Sequence, residues 1–154
     1  MLLKVHASYL PSTFLFKYFP ALKQVEVIRI DSINTSGTIA NLHVNKAEIS
    51  LGDSTHLLMD AEMQGLSSSD LDISFHLSSF TSSRTDILNF LPDSLQPSSL
   101  QIPQSVSIEA HGETDLTNAE IDMSFVSAMG SIDLEILKKG NELHAITMAK
   151  EFDI

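Results

Sequence analysis

The chain has no cysteine and no tryptophan among its 154 residues, and it sets only 9 lysines and arginines against 20 aspartates and glutamates. Without cysteine there is no disulfide, no thiolate nucleophile and no cysteine-ligated zinc. A net charge of −11 with scattered basic residues excludes a nucleic-acid binder, which needs Lys and Arg to displace counterions from phosphates. It equally excludes a protein held on anionic lipid by a basic patch. No apolar run approaches the roughly 18 residues of a membrane span. Met1-Leu2-Leu3-Lys4-Val5-His6 lacks the charged region, apolar core and small-residue cleavage site of a signal peptide. Any export signal or anchor is expected to lie outside these residues.

What is present is aliphatic and periodic. Hydrophobic residues make up 43% and the mean hydropathy is +0.10, while aromatics are only 6%. Leu71, Ile73, Phe75 and Leu77 alternate with Asp72, Ser74, His76 and Ser78, the period-two signature of a strand wet on one face. The same alternation carries Val106, Ile108 and Ala110; Ile121, Met123 and Phe125; Ile132, Leu134 and Ile136; and Leu57, Met59, Ala61 and Met63. Further strands fit near 25–31, 39–51 and 142–150, the second losing phase around Lys46-Ala47 as a bulge would. Glycines punctuate these runs at turn positions. The pattern predicts about eight antiparallel strands.

Two segments break the alternation. Leu15, Tyr18, Phe19 and Leu22 fall at helical spacing after Ser12-Thr13, and Pro20 marks a stop. Ser83 with Asp86 resembles a capping box, Ile87, Phe90 and Leu91 make a stripe, and Pro92 ends it. Two short helices are therefore expected, near 13–19 and 84–91, each too short to stand alone. The residues 93–103 read as an extended linker carrying two prolines.

The two helix segments match at one offset. Thr13–Pro20 reads against Thr85–Pro92, 85 − 13 = 72 residues apart, and Phe80 and Phe152 share that spacing, 152 − 80 = 72. Two repeats follow from this, about 13–80 and 85–152, and such units stack because one alone cannot bury its apolar face. Two short helices cannot cover about eight strands. The sheet must fold over as a flattened sandwich or stay open as a groove, and large exposed apolar patches imply a binding partner.

Residues that could carry chemistry are dispersed. His6, His43, His56, His76, His111 and His144 form no HxH, HxxxH or HExxH. Asp70 with Asp72, and the acidic stretch from Asp115 to Asp122, lack the close-set ligands and glycine of a calcium loop. No serine lies in G-x-S-x-G or S-x-x-K. The expectation is a chain that is not an enzyme, with no catalytic residue, no metal ligand and no cofactor.

The order of these segments carries a resemblance. A short helix of the type Leu15-Phe16-Lys17-Tyr18-Phe19-Pro20 or Ile87-Leu88-Asn89-Phe90-Leu91-Pro92 comes first. The lead-in Leu100-Gln101-Ile102-Pro103, the strand Val106–Gly112 and strands ending near Ala128–Leu134 follow. This resembles the periplasmic repeats of AsmA-like and TamB-like envelope proteins of Gram-negative bacteria, over most of the chain. The resemblance implies a segment of an inner-membrane-anchored protein whose body is a long β-groove in the periplasm. It also implies phospholipid transport to the outer membrane and outer-membrane biogenesis, with no catalytic residues to carry over.

On this reading the inner wall that meets phospholipid acyl chains is Leu71, Ile73, Phe75, Leu77, Val106, Ile108, Ile121, Met123, Phe125, Ile132, Leu134 and Ile136. Asp72, His76, Glu109, His111, Asp122, Asp133 and Glu135 should face water. Neighbouring repeats of the parent protein are the expected partners, with self-association through uncapped ends. The competing expectation is a closed β-sandwich, a scaffold or adhesion repeat binding protein or polysaccharide. Such surfaces lean on Tyr and Trp, and here there are two tyrosines and no tryptophan.

Overall fold

The alternating runs become nine strands in a computed structural model that describes residues 2–10, 28–66, 70–90, 102–115 and 117–150. They are β1 (Leu2–Leu10), β2 (Ile28–Gly37), β3 (Asn41–Leu51), β4 (Thr55–Gln64), β5 (Asp72–Ser83), β6 (Ser105–Asp115), β7 (Asn118–Ser127), β8 (Gly130–Lys139) and β9 (Glu142–Lys150). Helix α1 (Arg84–Phe90) sits between β5 and β6. The strands form one open antiparallel sheet in simple chain order, β1 through β9. This is the outcome expected when each run is one-sided and turns are short.

β1 is additional to the expected strands, and β2 runs on to Gly37 rather than ending near residue 31. The helix expected at 84–91 is present as α1, whereas the one expected at 13–19 lies outside the described residues. The described strands make one sheet, so the flattened sandwich finds no second layer among them.

Bulges keep the apolar residues on one side. The expected irregularity near Lys46-Ala47 is real: Val44 pairs with Ala61 but Ala47 with Met59, three steps on β3 against two on β4. A second bulge at Ser78-Ser79 of β5 lies between Leu77 opposite Met59 and Phe80 opposite Leu57. Without the bulge Phe80, three residues after Leu77, would point to the opposite face, because a single slip inverts every following side chain. A third, at Asp31, lets Ile30 and Ile33 share a face across from Ile49 and Ala47.

Helix α1 is held by its first turn. The Asp86 N–H donates to Ser83 Oγ at 3.3 Å, the expected capping contact. The Asp86 carboxylate, only 5% exposed, reaches back to the β3–β4 turn. Its Oδ2 accepts from Ser54 N (2.9 Å), Ser54 Oγ (3.0 Å) and Thr55 Oγ1 (2.9 Å). Gly52 beside it has φ +62, and a Cβ there would stand 3.2 Å from Asp86 Oδ1. A left-handed glycine thus lets the turn close over the carboxylate. Among the described residues the buried apolar ones are Ile28, Ile30, Ala47, Ala61, Val106 and Ala110. All six lie on β2, β3, β4 and β6, so the covered part of the sheet is the β2–β6 half.

Candidate lipid-facing wall

Residues directly opposite one another in an antiparallel pair share a face, so register traces each row across the sheet. One row runs Ile30, Ile49, Leu57, Phe80, Ile108, Phe125, Ile132, Ala149 from β2 to β9. A second runs Ile33, Ala47, Met59, Leu77, Ala110, Met123, Leu134, Thr147. A third runs Thr35, Val44, Ala61, Phe75, Gly112, Ile121, Ile136, Ala145. No charged residue interrupts any of the three. At about 4.8 Å per strand, seven steps make a wall roughly 34 Å wide, and three rows span about 14 Å along the strands.

Nine of the twelve expected wall residues stand in these three rows. Ile73 stands in the next row, with Met63 and Thr114, and Val106 lies on the same face at the far end, opposite Ser82 and Ser127. Leu71 precedes β5 and pairs with no strand residue. Only Val106 of the twelve is buried; the others are half-buried. The wall is best covered at β2–β6 and opens toward β9, where every residue from Glu142 to Lys150 is exposed.

The opposite face carries the charge. Asp60, His76, His111, Asp122 and Glu135 form one cross-strand row. Within it His76 Nδ1 lies 3.3 Å from Asp60 Oδ1, and His111 Nε2 lies 3.1 Å from Asp122 Oδ2. His43 Nδ1 and Glu62 Oε1 repeat the pairing at 3.2 Å in the neighbouring row. Asp60, Glu62, His76, His111 and Asp122 border a shallow depression of about 490 Å³. Among the described residues no group of three or more His, Asp or Glu is placed to hold a metal ion. Local spacing could not reveal this ladder, because positions 60, 76, 111 and 122 meet only through register.

A second polar cluster joins β2, β3 and β4. Ser50 Oγ donates to Asp31 Oδ2 at 2.5 Å and lies 3.1 Å from His56 Nδ1. Arg29 Nε contacts Asp31 Oδ1 at 2.6 Å. The Ser50 hydroxyl, then Arg29, hold the Asp31 carboxyl below its ordinary value. Serine, histidine and aspartate meet here, but the hydroxyl sits between carboxylate and imidazole. In a nucleophilic triad the imidazole occupies the middle and takes the hydroxyl proton. Here that proton is directed to the carboxylate, so the cluster reads as a clasp between strands.

Among the described residues no helix is long and apolar enough to cross a membrane. No protein-family model, no characterised protein and no solved structure matches the chain.

Proposed function

We propose that this chain is a segment of a periplasmic β-groove protein of the bacterial envelope, of the AsmA-like and TamB-like kind. Its apolar face carries phospholipid acyl chains toward the outer membrane. The observation that carries the reading is the three uncharged rows, continuous over eight strands. One leaflet of hydrocarbon is about 15 Å deep, half of a ~30 Å core, so the three rows match the length of an acyl chain lying along the strands. Aliphatic side chains offer that chain a wall without hydrogen-bond donors. The charged opposite face keeps the segment soluble.

The succession of β2–β5, then α1, then β6–β9 supports a body built from two units. The strand offsets are not one constant, 105 − 28 = 77 for β2 to β6 and 142 − 72 = 70 for β5 to β9. The units on this reading have diverged in loop length while keeping their order. On this reading neighbouring repeats of the parent protein would continue the wall at the β1 edge.

The test is photo-crosslinking in cells from Phe75, Ile121 and Leu134 in the parent protein. Capture of phospholipid at all three is the expected result, together with loss of lipid passage in Ile121→Asp and Leu134→Asp variants that remain folded. No lipid at any of the three in an active parent protein would sink the reading.

A further inference from the structure

Strand β9 sets two large apolar side chains on the charged face of the sheet. Ile146 lies opposite Glu135 and Met148 opposite Asp133, so both stand on the charged face, where they are 55% and 54% exposed. Leu143, on the apolar face, is 67% exposed. Between Glu142 and Lys150 the strand has no Asp, Glu, Lys or Arg, no proline and no glycine. Its pairing with β8 is continuous, without a bulge. Charge, proline and bulges are the devices by which edge strands avoid pairing with another chain. Among the described residues no strand pairs with the outer edge of β9.

We infer that β9 is an assembly edge that pairs antiparallel with β9 of a second copy, about a twofold axis at Ile146. In this register Glu142 faces Lys150 of the other copy at both ends, since 142 + 150 = 2 × 146. Leu143 faces Ala149 on the apolar side, and Ile146 faces its own copy among exposed apolar neighbours. Moving the axis to residue 145 or 147 breaks both charge pairs. The even sum also keeps directly opposed residues on one face, so the two apolar walls lie on the same side of a sheet of 9 + 9 = 18 strands. Charge complementarity thus selects one occupant and one register. The inference does not depend on what the wall carries.

The 154-residue chain tests it directly, using sedimentation and charge exchange. The wild type is expected to dimerise at micromolar concentration. Glu142→Lys alone and Lys150→Glu alone should each weaken self-association about tenfold, because two attractive cross-strand pairs become like-charged. Mixing the two variants should restore a heterodimer, since both end pairs are then opposite in charge. Ile146→Cys, in a chain with no other cysteine, should form a covalent dimer on mild oxidation. Cross-strand Cα separations of about 4.5–5.5 Å fall within disulfide reach. A monomeric wild type, dimers indifferent to both charge variants, or a failure of Ile146→Cys to cross-link would each overturn the inference. Circular dichroism of the Ile146→Cys chain checks that the sheet is intact when that result is read.

Discussion

Phe75 on β5 lies directly across from Gly112 on β6, and the glycine leaves the space that the ring fills. A Cβ at Gly112 would stand 3.1 Å from Phe75 Cε1, 3.0 Å from Ile121 Cγ1 and 2.7 Å from the Glu120 carbonyl oxygen. The apolar wall is therefore fitted at its centre, where a large residue and an absent side chain share one site.

Gly112→Ala should accordingly destabilise the sheet by about 1–3 kcal/mol, the range for overpacking. Denaturant unfolding measures it. The double variant Gly112→Ala/Phe75→Leu should recover part of the loss, since the ring can be removed but the Glu120 carbonyl cannot move freely. An unchanged midpoint for Gly112→Ala would show that the strands part more easily than this packing implies.

Asp86 should couple stability to pH. Burial pushes its pKa up, but hydrogen bonds from the Ser54 N–H, the Thr55 and Ser54 hydroxyls and the Asp53 N–H outweigh that and leave it below 3.8. A carboxylate depressed on folding contributes stability above its unfolded pKa and loses it as pH falls through the folded one. Acid should therefore weaken the wild type below about pH 4. Asp86→Asn should lie lower at neutral pH and respond less to acid. Asp86→Ala, which leaves the Ser54 and Thr55 donors without their acceptor, should cost about 3 kcal/mol at neutral pH.

Phe125→Ala separates an open wall from a closed core. A fully buried phenylalanine costs about 3–5 kcal/mol on truncation, whereas Phe125 is only half-buried. The expected loss is about 1–2 kcal/mol, in line with the smaller area withdrawn from water. A loss in the full range would mean that something covers this part of the wall.

Deleting Ser79 removes the extra residue of the β5 bulge. Phe80 would then stand two residues after Leu77, as Leu57 stands two from Met59, so it keeps the apolar face, and Ser82 and Ser83 keep their bonds to Thr55 Oγ1 (2.7 Å) and Ser54 Oγ (2.7 Å). Cooperative unfolding is expected to survive the deletion, read by thermal circular dichroism. Substituting Ser79→Ala, which keeps the residue count, should be nearly silent.

Alternation along the chain was enough to establish strands, their faces and an antiparallel sheet, because side-chain direction in a strand depends only on position parity. The phase break at Lys46-Ala47 and the Ser83–Asp86 cap were equally local, and both are visible as residue patterns within a few positions. The bulge at Ser78-Ser79 left a comparable trace, two serines between Leu77 and Phe80, yet it becomes decisive only when register with β4 is known. Which residues meet across strands was a tertiary matter. His76 beside His111, Asp31 beside Ser50 and His56, and Phe75 over Gly112 are brought together by hydrogen-bonded register between segments tens of residues apart. Whether the apolar face would close on itself was also undecided by pattern, since the same alternation serves a sandwich and an open sheet. The chain-order pairing of nine strands, with β1 and β9 left at opposite edges, decided that, because closure requires two edges to meet and here they do not.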